Sequence, residues 1–67
     1  MHEWALAEGI IRTVIDYAKK HNAVSVKSIK IVLGELQDIE KEIVEFALNE
    51  LKKDTIANDA IIEFYEE

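Results

Sequence analysis

From Val24 to Leu36 the chain runs VSVKSIKIVLGEL. Ile29, Ile31 and Leu33 alternate with Lys30 and Val32, the period of two that sends successive side chains to opposite faces of a strand. Val24 and Val26 fall on the other parity, a phase slip that a bulge or bend near Ser28 would absorb. Gly34 marks a second irregularity or the approach to a turn. A strand over 24–36 is therefore expected, and what flanks it decides the fold.

On its N-terminal side the period is helical. Trp4, Ala7, Ile11, Val14 and Ala18 recur at three-and-four spacing, and Leu6, Ile10 and Tyr17 widen the stripe. Glu3 and Glu8 suit the positive end of a helix dipole, Lys19, Lys20 and His21 suit the negative end, and Asn22 tolerates the left-handed conformation that terminates helices. On the C-terminal side Asp38 is a candidate N-cap for a second helix reaching Lys53. Its buried stripe is expected at Ile39, Ile43, Phe46, Ala47 and Leu51, flanked by Val44 and Leu48, with Lys52 and Lys53 at the dipole's negative end. The segment closes at Asp54. Ala60, Ile62 and Phe64 then alternate with Ile61, Glu63 and Tyr65 in a second strand.

The order helix, strand, helix, strand predicts an α/β (α+β) fold with two helices packed on a sheet of two intrinsic strands. A strand, a crossover helix and a second strand place the two strands parallel. Two strands leave both edges open, so a third is expected to be missing or supplied by another chain.

Size and charge narrow the function. One domain over residues 1–67 is expected, because a chain this short buries only about 60% of its unfolded surface and makes a single small core. There is no cysteine and no proline, so no disulfide or thiolate-metal site can reinforce it. Eight Lys plus Arg against fourteen Asp plus Glu give a net charge of −6, which disfavours nucleic acid and anionic membranes. No apolar run approaches the roughly 20 residues of a membrane span, and no secretory signal layout opens the chain. A cytoplasmic location is expected. The only serines, Ser25 and Ser28, lie in the strand segment, and no phosphate loop is present, so no enzyme chemistry is expected. Glu40, Glu42, Glu45 and Glu50 read as the solvated side of the second helix.

His21 reads as a C-terminal helix residue gaining from the dipole. His2 reads either as an ordinary exposed residue or as a metal ligand. At a chain start its imidazole Nδ1 and amide nitrogen close a six-membered chelate. The Glu3 amide and the Met1 amine add five-membered rings on either side, giving four nearly coplanar nitrogens. Such a field suits Ni(II) or Cu(II) rather than tetrahedral Zn(II). Binding releases protons and strengthens as pH rises. The bulky His2 disfavours removal of Met1, so the amine concerned is that of Met1.

The opening Met1, His2, Glu3, Trp4, Ala5, Leu6, Ala7 resembles the signature start of the HypA family, nickel-incorporation chaperones of [NiFe]-hydrogenase maturation. The similarity continues through Ile10, Ile11 and Val14, then through Val32, Leu33, Gly34, Glu35 and Leu36, the Phe46–Ala47 pair, and Ile62 with Glu63. It is closest to archaeal members and covers essentially the whole chain. The resemblance implies a nickel metallochaperone holding Ni(II) through His2 and the first backbone amides, with Glu3 adjoining the site. It also implies a HypB-type GTPase and the hydrogenase large subunit as partners.

Family members continue past the equivalent of Glu67 into a zinc domain with two CxxC-type pairs, then return with a strand that closes the sheet. By that resemblance the chain is a truncated nickel-binding domain, zinc is expected only in the full-length pattern, and the missing strand leaves an open edge through which copies are expected to associate as a homo-oligomer. The alternative from another class is a metal-independent interaction module that uses the same edge for strand addition.

Overall fold

The computed structural model describes residues 2–32 and 39–65. Helix α1 spans His2–Lys20, strand β1 Ser28–Val32, helix α2 Lys41–Leu51 and strand β2 Ile61–Tyr65. The expected element order is present. β1 and β2 pair in parallel, with Ser28 opposite Ile61, Lys30 opposite Glu63 and Val32 opposite Tyr65. Among the described residues these two strands make up the sheet.

Helix α1 stops where its sequence says it should. Asn22 takes a φ of 56°, its amide donates to the Lys19 carbonyl and the Ala23 amide donates to that of Ala18. This pair of bonds is the Schellman closure, which satisfies carbonyls that the last turn would otherwise leave open. The strand that follows is shorter than expected. Residues 24–27 precede β1 as irregular chain, tied down by the Val26 amide on the Ile56 carbonyl, so the parity change at Val24 and Val26 marks a coil before the strand rather than a bulge within it. Val24 is accordingly solvent-exposed. The continuation of the expected strand over 33–36, including Gly34, lies outside the described residues.

The Asp38 cap also lies outside them. Helix α2 begins after Glu40, which holds an extended backbone (φ −78°, ψ 103°) and contributes no side-chain cap of its own. The helix is rotated relative to its expected stripe. Val44, Ala47 and Leu48 are buried, whereas Phe46 is 59% exposed and Ile43 39%. Ala47 of α2 and Ala7 of α1 are both completely buried and belong to the same core cluster. Phe46 is displaced to the rim, where it meets Trp4 edge to face at 6.2 Å between centroids. On α1, Ala7, Ile11 and Ala18 are buried as expected, while Tyr17 is exposed and packs against the His21 ring instead.

One apolar layer holds these pieces together. Ile29 and Ile31 of β1 join Ala7, Ile11, Val44, Ala47, Leu48, Ala57 and Ala60 in a single cluster, with Ile62 and Phe64 of β2 packed against it. The opposite face of the sheet is solvated at Ser28, Lys30 and Val32. After α2 the chain turns through Asp54, at a φ of 65°. The turn is fastened by the Thr55 hydroxyl, which donates to the Lys52 carbonyl and accepts from the Ala57 amide. Lys52 does not sit at the helix end as a solvated cation. It is buried, and its ammonium donates to the Asn58 carbonyl across the turn. Lys53 is the exposed one and pairs with Glu50 at 3.2 Å.

Leu48 is fully buried, so Leu48→Ala should lower stability by about 2–5 kcal/mol, a large fraction of what so small a domain possesses. Ile43→Ala should cost at most about 1 kcal/mol. Urea unfolding of the two variants checks this, and equal losses would mean that α2 buries the stripe expected from sequence instead.

Candidate functional site

The start of α1 is where sequence chemistry and fold meet. His2 is the first residue of the helix and its side chain is exposed. The amides of a helix's first turn have no carbonyl one turn back to bond, so the backbone nitrogens at positions 2 and 3 are free of the helical ladder. Among the described residues no group of three His, Cys, Asp or Glu side chains gathers to hold a metal ion. The donor set available here is one imidazole with backbone nitrogens. That set matches the planar nitrogen field of Ni(II) or Cu(II) better than an oxygen-rich or thiolate site. Met1, the third expected site residue, lies outside the described residues.

Glu3 has a definite structural task. Its Oε2 accepts a hydrogen bond of 3.3 Å from the amide of Glu40, the residue that caps α2. A carboxylate from α1 therefore stands at the amino end of α2, where the unsatisfied amides and the helix dipole favour negative charge. The Glu3 carboxyl is held below the ordinary carboxylate range, first by its own backbone amide and then by that of Glu40, with the charges of His2 and the chain amine assisting and partial desolvation opposing. No local pattern announces this contact, since the partners are 37 residues apart. The sequence signals only that Glu3 suits the first turn of its own helix.

The geometry separates two roles that the sequence places side by side. Glu3 turns toward α2, and His2 stays open to solvent. Trp4 follows them and lies partly buried against the core and the Phe46 ring. The first turn of α1 is thus pinned on one side by an aromatic contact and a hydrogen bond, with the imidazole left free.

Because the folded-state pKa of Glu3 is depressed, its contribution to stability is complete above the unfolded-state carboxylate pKa and is lost as pH falls through the folded one. Thermal melts from neutral to acidic pH should show this loss in the wild type. In Glu3→Gln, melting should be lower at neutral pH and the gap should close on acidification. A gap that is constant with pH would show that the carboxylate charge is not what matters.

The comparisons with known proteins bear on the whole chain. The family model described as hydrogenase/urease nickel incorporation, metallochaperone, HypA matches residues 1–67. The chain is 61% identical over 67 residues to a hydrogenase maturation factor HypA of Pyrococcus horikoshii, covering all of this chain and 48% of that protein. It is 60% identical, with the same coverage, to that of Thermococcus onnurineus. With the HypA of Methanothermobacter thermautotrophicus the identity is 42% over 60 residues, 90% of this chain and 49% of the relative. The chain therefore spans about half the length of the curated relatives it matches. No described helix is long and apolar enough to cross a membrane. The family is one of metallochaperones rather than enzymes, and with its model matching every residue, the chain belongs to the HypA family.

Proposed function

We propose that residues 1–67 form a single nickel-holding unit that binds Ni(II) at the chain start and passes it on in the maturation of a [NiFe]-hydrogenase. The observation that carries this is the exposed His2 at the open end of α1, in a chain whose family is described by nickel incorporation. His2 supplies the imidazole, the amides of residues 2 and 3 supply backbone nitrogens, and the Met1 amine is the fourth donor. Planar chelation draws the first residues out of helical geometry and removes amide protons, so nickel competes with the bond between Glu3 and its own amide. A site formed at the cost of one helical turn holds its cargo without burying it, which suits a protein that must also release it.

The proposed setting is the cytoplasm, with a HypB-type GTPase and the hydrogenase large subunit as the proposed partners. Ile43 and Phe46 give docking an exposed apolar surface beside Trp4. Copies of the chain are taken to associate through an open sheet edge. Zinc, which the family resemblance attaches to paired cysteines, has no such ligands in residues 1–67.

Titration with Ni(II) should give the visible absorption of planar four-nitrogen nickel in the wild type and lose it in His2→Ala, with tighter binding at higher pH because the ligands release protons. Identical spectra for the two proteins would sink the nickel reading. The chain must carry its native amino end, since any residue ahead of Met1 replaces the amine with an amide.

A further inference from the structure

The part of α1 that can chelate and the part that is packed meet between residues 3 and 4. His2 is exposed, and the donors proposed beyond its imidazole are backbone nitrogens no further along than the Glu3 amide. Among the described residues Trp4 is the first apolar side chain of α1 packed against the core, and Ala7, one turn on, is completely buried. The Trp4 ring meets Phe46 of α2 edge to face, at 6.2 Å between centroids and 82° between planes, an arrangement that aromatic quadrupoles favour. Phe46 is largely exposed, whereas its neighbours Val44 and Ala47 are buried. Its contact with Trp4 is therefore a larger part of what it does than filling the core.

Chelation constrains fewer bonds than the helix start contains. The ring shared by the His2 and Glu3 amides fixes the backbone torsions of His2, and the imidazole ring fixes that residue's side chain. Both lie ahead of the Glu3 Cα. Behind it the chain is held twice, by the Glu3 carboxylate on the Glu40 amide and by the Trp4 ring on Phe46. We infer that Phe46 is a positioning residue for nickel: by holding Trp4 it makes residue 3 the pivot, so that the chain ahead turns to the metal while α1 from Trp4 onward keeps its place. This rests on the nickel reading of His2 and names the residue that sets how far chelation reaches.

In an α-helix that starts at His2, the Leu6 amide bonds to the His2 carbonyl, the Ala7 amide to that of Glu3 and the Glu8 amide to that of Trp4. Turning the His2 torsions swings the first of these acceptors away. Ala7 and Glu8 keep theirs as long as Trp4 is held. Without the Phe46 ring the frame behind the pivot is loose, fraying spreads along the turn, and more backbone has to be ordered when the metal binds. Ordering even one further residue is enough to weaken binding about fivefold. The bond given up, from Leu6 to His2, is an end bond of the helix, so its earlier loss in a frayed chain offsets little of this.

The experiment titrates Ni(II) into the chain with its native amino end, as wild type, Phe46→Ala, Phe46→Tyr and Tyr17→Ala, and follows amide hydrogen exchange before and after loading. Phe46→Ala should keep its circular dichroism, since the side chain is largely exposed, and should bind nickel about fivefold or more weakly. Phe46→Tyr, which keeps an aromatic edge for Trp4, should restore the affinity. Tyr17→Ala removes the contact with the His21 ring at the far end of α1 and should bind as the wild type does. On loading, exchange should quicken at Leu6 in the wild type and at Leu6, Ala7 and Glu8 in Phe46→Ala. Affinity in Phe46→Ala equal to or above that of the wild type, an equal loss in Tyr17→Ala, or exchange that quickens through Glu8 in the wild type would overturn the role of Phe46 while leaving His2 as a ligand. Nickel uptake that is unchanged in His2→Ala would overturn both.

Discussion

Everything in this fold depends on one shared apolar layer, in which two helices cover a single face of a two-stranded parallel sheet. The layer is thin. Its fully buried side chains larger than alanine are Leu48 and Val44, and much of the rest is alanine. Such a layer is filled only when the completely buried Ala7 and Ala47 lie inside it among their branched neighbours. That requirement fixes the rotation of α2 about its axis. It places Phe46 and Ile43 at the rim and brings the amino end of α2 within reach of Glu3.

What could be read from sequence follows from how local each interaction is. The end of α1 was legible because its closure is local, built from residues 18–23 around Asn22. The parallel pairing was legible from element order alone. The face of α2 was not, because apolar residues at 39, 43, 44, 46, 47, 48 and 51 define two overlapping ridges, and only contact with α1 selects between them. The parity change near Val26 was real, but its cause is the bond to Ile56, which no local pattern contains.

The candidate site divides in the same way. A histidine at the second position is a feature of the linear chain, and the chelating role proposed for it is read from that position. The engagement of Glu3 with Glu40 is tertiary, and so is the burial of Lys52 over the Asn58 carbonyl. The first satisfies a backbone amide where the chain enters α2, one of the ends at which a short helix is weakest, and the second ties the residue just past α2 to the turn that leads to β2. The amino end of α1 is consequently held in place from the side while the His2 imidazole remains exposed.

The chain contains one tryptophan, and it sits two residues beyond His2 with its ring against Phe46. The indole is thus a built-in optical reporter at the turn where the proposed chelation would compete with helix geometry. Its emission senses both the aromatic contact that anchors that turn and an open-shell or strongly absorbing ion brought close to it. The protein's own fluorescence can therefore follow events at its amino end in real time, without an attached label to disturb the terminus.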